Sequence, residues 1–202
     1  HPSFEKRIDR RALRLYFDYG YIPAPYSIFK HTFKLESGSY LVYDLQQNHI
    51  KEKKYWDPVS YYKKPKFDIS YDDAKNELHE LLKSAFQYRL VSDVPVGLFL
   101  SGGYDSTAVA AILQNQNTTK LKTFTIGFEE GNNEAPFAKK TADYLGTHHH
   151  EYTCTTKEAH EIIPTLPYYY DEPFADSSAI PTMLVSRFAK EYVTVALSAD
   201  AG

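Results

Sequence analysis

The residues best placed to do chemistry lie in one short run, Ser101-Gly102-Gly103-Tyr104-Asp105-Ser106. Two adjacent glycines let backbone approach a ligand closely, and the hydroxyls of Ser101 and Ser106 stand on either side of them. If a helix begins at this turn, its unpaired N–H groups and positive dipole end converge on one point, which is how a phosphate is held. Asp105 then puts a carboxylate beside bound polyphosphate, and that arrangement calls for a cation between them, Mg²⁺ being the usual one. The run is neither of the common nucleotide loops: the G-x-x-x-x-G-K-[ST] spacing with its lysine is missing, and so is G-x-G-x-x-G. The alternative is a tight strand-to-helix turn in which Ser106 only caps the helix.

The flanking pattern supplies such a turn. Val94 to Leu100 is a continuous apolar run short enough for a buried parallel strand, and Ser106 to Gln114 is alanine-rich and helical. Before them, Ala74, Leu78, Leu81, Leu82, Ala85, Phe86 and Leu90 recur at helical spacing behind a capping-box-like Ser70-x-x-Asp73. After them come expected strands at Thr123 to Phe128, His149 to Thr153 and Val193 to Leu197. Expected helices lie at Glu134 to Leu145, Lys157 to Thr165 and Ser178 to Tyr192. Strands alternating with helices predict βαβ units and a parallel sheet, hence an α/β, Rossmann-like domain. The first part reads differently: a helix from Asp9 to Asp18, then strands at Ile28 to Leu35, Tyr40 to Leu45 and Ile50 to Trp56. So few elements enclose little core, so residues 1–58 read as the end of something larger. A proline- and lysine-containing linker follows at 59–70, and the α/β domain occupies 71–202, the chain reading as cut at both ends.

Composition narrows the function classes. The chain has 202 residues, 43% hydrophobic and 24% charged, which is globular rather than disordered. With 23 Lys+Arg against 26 Asp+Glu, no basic excess exists for nucleic acid. The uncharged run Val94 to Tyr104 is far short of the roughly 20 apolar residues that span a bilayer, so no membrane segment is expected. One cysteine, Cys154, and no signal-peptide pattern point to a reducing, cytoplasmic setting.

Ser101-Gly102-Gly103-x-Asp105-Ser106 is similar to the SGGxDS loop of the ATP pyrophosphatases (adenine nucleotide alpha hydrolase-like proteins). Further motifs narrow the likeness: Asp93 to Gly103, Thr123 to Phe128, Asn133 to Ala138 with Leu145 to His149, Asp171 to Thr182, and Val195 to Ser198. Together they resemble the synthetase domain of the glutamine-hydrolysing asparagine synthetase family. Tyr19 to Phe29 and Lys34 to Gly38 resemble the last helix and hairpin of that family's N-terminal-nucleophile glutaminase domain, so the resemblance covers nearly the whole chain.

The resemblance implies a ligase in asparagine biosynthesis. Aspartate and MgATP form β-aspartyl adenylate with release of pyrophosphate, and ammonia from glutamine then attacks the acyl carbon. Carried over by position, Ser101, Gly102, Gly103 and Ser106 would cradle pyrophosphate, Asp105 would be a Mg²⁺ ligand, and Leu100 and Ile126 would line the adenine site. The family's second motif, Ser-Gly-acidic-Gly-x-Asp-Glu, falls on Ser198-Ala199-Asp200-Ala201-Gly202, with alanine at both glycine positions. Asp200 falls on its acidic position, and Ser198 and Ala199 join the nucleotide site. Those alanines leave open a paralogue that adenylates another carboxylate, such as a β-lactam synthetase, or a nucleotide-binding protein without catalysis. Partners are small molecules (ATP, aspartate, ammonia), with no nucleic acid or membrane, and a homodimer is left open. The glutaminase nucleophile is an N-terminal cysteine, where this chain has His1, so this piece alone is expected to be inactive.

Three other candidates carry plainer expectations. His148-His149-His150 is a strand edge, because consecutive strand residues face opposite sides and cannot chelate one ion together. Cys154, at a strand end, is not expected to be a nucleophile. Asp171, Glu172 and Asp176 are expected in a loop bordering the substrate pocket, with a solvated loop as the alternative.

Overall fold

The computed structural model describes residues 3–116, 118–129 and 133–199. The chain divides into two compact units, one of residues 1–68 with 165–176 and the other of 69–164 with 177–202.

In the first unit, helix α1 (Arg10–Tyr19) starts where the Asp9 carboxylate accepts the Arg11 N–H at 2.8 Å and stops at Gly20, which is left-handed at φ 78°. Strands β1 (Ser39–Asp44) and β2 (His49–Lys54) form an antiparallel hairpin, in register from Ser39 opposite Lys54 to Asp44 opposite His49. The Asp44 carboxylate accepts the N–H groups of Gln46 and Gln47 and so organises the turn. Gly38 is obligatory on two counts: its φ is 71°, and an added Cβ would lie 2.2 Å from the Trp56 carbonyl oxygen.

The expected strand Ile28 to Leu35 is not formed. His31 adopts φ 59°, which breaks extension, and only the single bridges Ile8 to Phe29 and Tyr26 to Phe33 remain. Within the expected linker, a helical turn α2 (Pro58–Tyr62) is nucleated by Asp57, whose carboxylate accepts the Val59 N–H, and by Pro58 in the first turn. Ala12, Ile22 and Ile28 are the buried apolar residues described in this unit.

The second unit opens with α3 (Tyr71–Leu90), capped by the Ser70 hydroxyl, which accepts the Asp73 N–H at 3.2 Å. Then follow β3 (Val96–Phe99), α4 (Tyr104–Gln116), β4 (Lys122–Phe128), α5 (Ala135–Leu145), β5 (His148–Cys154) and α6 (Thr156–Ile162). A 3₁₀ turn, Ile163–Thr165, and α7 (Leu166–Tyr169) lead to α8 (Ala179–Ala189) and β6 (Val195–Leu197). The helix expected from Lys157 to Thr165 thus breaks into α6 and the 3₁₀ turn, where Pro164 has no N–H to donate.

All strand pairings in this unit are parallel, in the order β5-β4-β3-β6. The chain steps outward from β3 through β4 to β5 and then returns to the other side of β3, which makes the carboxyl end of β3 a topological switch point, where open α/β sheets bind ligands. Helices cover both faces. Leu98, Leu100, Val109, Ala110, Leu113 and Ala138 form one buried layer, and Phe124, Val185, Ala189 and Val193 form the other. Gly97 sits at the only kind of position that admits Phe124, since a Cβ there would lie 2.4 Å from the ring.

Candidate functional site

The turn from β3 into α4 is closed by its own serines. The backbone N–H of Ser101 donates to Ser106 Oγ at 3.2 Å, and the two hydroxyl oxygens are 3.0 Å apart. Ser101 Oγ accepts the Gly103 N–H at 3.3 Å, while Ser106 Oγ donates to the Gly103 carbonyl at 3.3 Å. Ser106 therefore does more than cap a helix: it ties strand end, turn and first helical turn together, and it is 6% exposed. Just before the loop, the Leu100 N–H donates to the Phe124 carbonyl at 2.9 Å, and the buried Thr125 hydroxyl donates to the Leu100 carbonyl.

The two glycines differ. Gly102 has φ 81°, and an added Cβ would lie 2.8 Å from both the Ala138 nitrogen and the Phe137 Cβ of α5. Gly103 has an open side, where a Cβ would meet only the Ser101 hydroxyl at 3.3 Å. One glycine therefore lets the loop pack on α5, and the other leaves backbone accessible to a ligand.

A cavity of about 450 Å³ opens at the carboxyl ends of β3, β4 and β6. Of the residues singled out in the sequence, Leu100, Ser101, Gly103, Asp105, Ser106, Ile126, Ser198 and Ala199 line it. Gly102 packs against α5, and Asp200 and Ala201 lie outside the described residues. Sequence reasoning missed the opposite wall, where Ser178, Pro181, Thr182 and Val185 come from α8 and its entry, and it missed Thr125 and Glu134. The first turn of α4 and the first two turns of α8 thus border one cavity, and the positive end of α4 faces it through the glycine loop. Asp105 adds a carboxylate in the first turn of α4. Phe99, Phe124 and Phe128 make part of the wall apolar, suited to a flat ring beside an anionic group.

Asp171 and Glu172 do not line this cavity. They belong to the first unit, where they line a separate cavity of about 590 Å³ with Tyr21, Phe29, Phe33 and Lys34. Of the Asp171-to-Thr182 motif, the residues on the wall of the first cavity are Ser178, Pro181 and Thr182.

The histidine run lies on β5, an edge strand of the described sheet, and its rings divide between faces. His149 Nδ1 is 2.9 Å from the Thr123 hydroxyl, which in turn is 2.9 Å from that of Thr147. His150 stacks on Phe124, with ring centroids 5.1 Å apart and planes at 12°, and lies 4.1 Å from the Tyr192 ring. Burial pushes both histidines below their ordinary value of 6.5; for His150, the neighbouring His148 and Lys122 act in the same direction. Among the described residues, no group of three or more His, Cys, Asp or Glu side chains is arranged to hold a metal. Cys154 is buried, its thiol donates to the Thr155 carbonyl at 3.3 Å, and burial pushes its pKa up, the opposite of an activated nucleophile.

Nearby, Glu158 completes a reciprocal cap on α6. Its carboxylate accepts the Thr155 N–H and hydroxyl at 2.9 and 2.8 Å, and the Tyr152 hydroxyl donates to its other oxygen. The Tyr152 bond first, and then the Thr155 bonds, hold this carboxyl at about 2.

The family model for asparagine synthase matches residues 77–202. The chain belongs to the asparagine synthase family. It is 43% identical over 201 residues to a protein of Methanocaldococcus jannaschii named "Putative asparagine synthetase (glutamine-hydrolyzing) 2", covering 98% of this chain and 38% of that protein. It is 34% identical over 194 residues to asparagine synthetase (glutamine-hydrolyzing) 1 of Bacillus subtilis, covering 96% of this chain and 30% of that one. The chain therefore spans about a third of the length of these relatives. Among solved structures, it is similar to an NH3-dependent NAD synthetase from Campylobacter jejuni, with a TM-score of 0.41 and 15% identity, over 61% of this chain and 54% of that one. Among the described residues, no helix is long and apolar enough to cross a membrane.

Proposed function

We propose that this chain is part of a glutamine-dependent asparagine synthetase of the cytoplasm. The observation that carries the reading is the cavity at the switch point of the sheet, where the Ser101 to Ser106 loop, the Asp105 carboxylate and the first turns of α4 and α8 share one space. A carboxylate oxygen of aspartate attacks the α-phosphorus of ATP, the bond to pyrophosphate breaks, and the electron pair leaves with pyrophosphate. Ammonia then attacks the acyl carbon, and AMP leaves.

The loop's part is electrostatic. Negative charge gathers on the departing pyrophosphate, and the Gly103 backbone and the two serine hydroxyls, exchanging their bonds within the loop for bonds to phosphate, would receive it with the positive end of α4. Leu100 and Ile126, at the ends of β3 and β4, take the adenine on the apolar side. The donor set fits Mg²⁺, which one or two carboxylates plus phosphate oxygens hold, and Asp105 would be its protein ligand. Bound there, the ion would neutralise phosphate charge. Ser198 and Ala199 line the same cavity, and Asp200 follows them as the acidic member of the second motif.

Residues 1–58 are read as the end of the glutaminase domain, 59–70 as a linker and 71–202 as the first part of the synthetase domain, with ammonia arriving from glutamine hydrolysis. A second reading, a paralogue that adenylates a different carboxylate, is favoured by Ala199, which stands on the cavity wall where the family pattern has glycine.

The test uses the full-length protein with MgATP, ammonia and a panel of carboxylates, and it follows pyrophosphate. Aspartate should support release, and Asp105→Asn should cut it at least tenfold, or ~1.4 kcal/mol at the transition state, while glutamine hydrolysis survives. Release with another carboxylate but not with aspartate would select the second reading. Unchanged release in the variant would remove Asp105 from the site.

A further inference from the structure

Phe124 and His150 stand opposite each other on β4 and β5, both within the second unit, and their rings lie nearly parallel, with centroids 5.1 Å apart. The imidazole also meets the ring of His148, which shares its face of the strand, at 4.6 Å, and that of Tyr192 at 4.1 Å. Tyr192 is fixed in turn. The Lys122 ammonium donates to its carbonyl at 3.3 Å, and its ring meets those of Phe188 and Phe124 at 5.5 and 5.8 Å.

Phe124 matters because of where it sits. It is fully buried in one layer with Val185, Phe99 and Ile126 lie against that layer, and all four residues line the cavity at the carboxyl ends of the strands. Its carbonyl accepts the Leu100 N–H at 2.9 Å, one residue before the glycine loop begins. Towards β3 the ring abuts Gly97, where even a Cβ would lie 2.4 Å from it, so it has no room to retreat in that direction. His150 supports it from β5.

That support suits one protonation state. Nε2 of His150 is buried and has no hydrogen-bond partner among the described residues. A neutral ring can carry its proton on Nδ1 and leave Nε2 bare, whereas an imidazolium must place an N–H there with no acceptor to meet it. The charged and titratable groups around the ring are Lys122 on β4, His148 on β5 and the Tyr192 phenol after α8; among the described residues, no carboxylate is there as a counter-ion. The faces of Phe124 and Tyr192 would attract a cation. Burial first, and then His148 and Lys122, act against it and push the ring below its ordinary 6.5.

We propose that neutral His150 is a positioning residue for the nucleotide: it braces Phe124, and with it the apolar wall of the cavity, and protonation of the imidazole releases the brace. The inference rests on reading that cavity as the nucleotide site.

Adenosine is the probe, on the full-length protein, because it has no phosphate to titrate alongside the histidines. Its dissociation constant should be level above neutral pH and rise at least roughly threefold as pH falls from about 7.5 to about 5. His150→Phe keeps a stacked ring and loses the titration, so it should bind within twofold of wild type at the higher pH and show no decline. His150→Ala should bind more weakly than wild type at the higher pH and be equally level. Wild-type affinity that ignores pH, or a decline that survives in His150→Phe and so belongs to His149, would overturn the proposal.

A second measurement reads the brace itself. Nuclear Overhauser contacts between the His150 and Phe124 rings should weaken as His150 takes up its proton, and adenosine should lower the pH at which it does so, since the coupling is reciprocal. Contacts that persist through the titration would also overturn the proposal. If neither adenosine nor MgATP bound at any pH, the reading of the cavity would fail, and the ring contacts would still decide whether His150 holds Phe124.

Discussion

The hydroxyl of Thr125 donates to the carbonyl oxygen of Leu100, the last residue before the glycine loop. That carbonyl lies where β3 has ended and the chain turns away, so no ladder partner is left for it, and Thr125 itself is 3% exposed. Replacing Thr125 by valine keeps the shape and removes the donor. It should leave a buried acceptor unpaired at about 1–3 kcal/mol of stability and weaken ATP binding, because the direction in which the loop leaves the sheet is no longer fixed. Serine at the same position should recover most of both. Urea unfolding and nucleotide titration of the three proteins check this; a valine variant that bound ATP as well as wild type would show that the loop holds itself.

The two glycines of the loop should separate stability from binding. Gly102→Ala meets a positive φ and the backbone of α5, so it should cost at least roughly 2 kcal/mol in folding. Gly103→Ala meets only a serine hydroxyl and should fold nearly as well as wild type, yet bind ATP at least tenfold more weakly, because its methyl occupies the open side. Denaturation midpoints and ATP dissociation constants measured on both variants would contradict this if their order were reversed.

Acid should act on the second unit in two stages. His149 and His150 sit below their ordinary value of 6.5, chiefly through burial, so the unfolded chain takes up protons there before the folded one does. Their contribution is complete above pH 6.5 and declines as pH falls through the lowered values. Glu158 is held at about 2 against an ordinary 4.5, so its contribution is complete above pH 4.5 and fades as pH falls towards 2. Glu158→Gln should remove the second decline and leave the first. A pH series of urea unfolding curves showing both declines intact in that variant would refute the assignment.

The second unit was largely legible because its signals are local. The apolar run before Leu100, the Ser70 cap and the alternation of strands with helices each act over a few residues, and the structure keeps them with shifted ends. Strand Ile28 to Leu35 was misread for an equally local reason: β-branched and aromatic residues suggested extension, but His31 takes a left-handed turn that its type does not announce. Half of the cavity was legible in the same way, from Leu100 to Ser106. The other half was not, because Ser178 and Thr182 reach the cavity through the packing of α8 on the sheet, and no spacing in the sequence encodes that. The grouping of 165–176 with the first unit was hidden for the same reason, since it depends on Lys34 meeting a carboxylate 138 positions away.

The central claim is that the cavity transfers the adenylyl group of ATP to a carboxylate before ammonia arrives, and oxygen tracing tests it most directly. Full-length protein is supplied with MgATP, ammonia and aspartate labelled with ¹⁸O in the side-chain carboxylate, and the products are weighed by mass spectrometry. If the carboxylate attacks the α-phosphorus and ammonia then attacks the acyl carbon, one labelled oxygen leaves with AMP and the other stays in the new amide. The account predicts one ¹⁸O per AMP formed and none in pyrophosphate. Unlabelled AMP beside labelled asparagine, or label in the released phosphate instead, would contradict it.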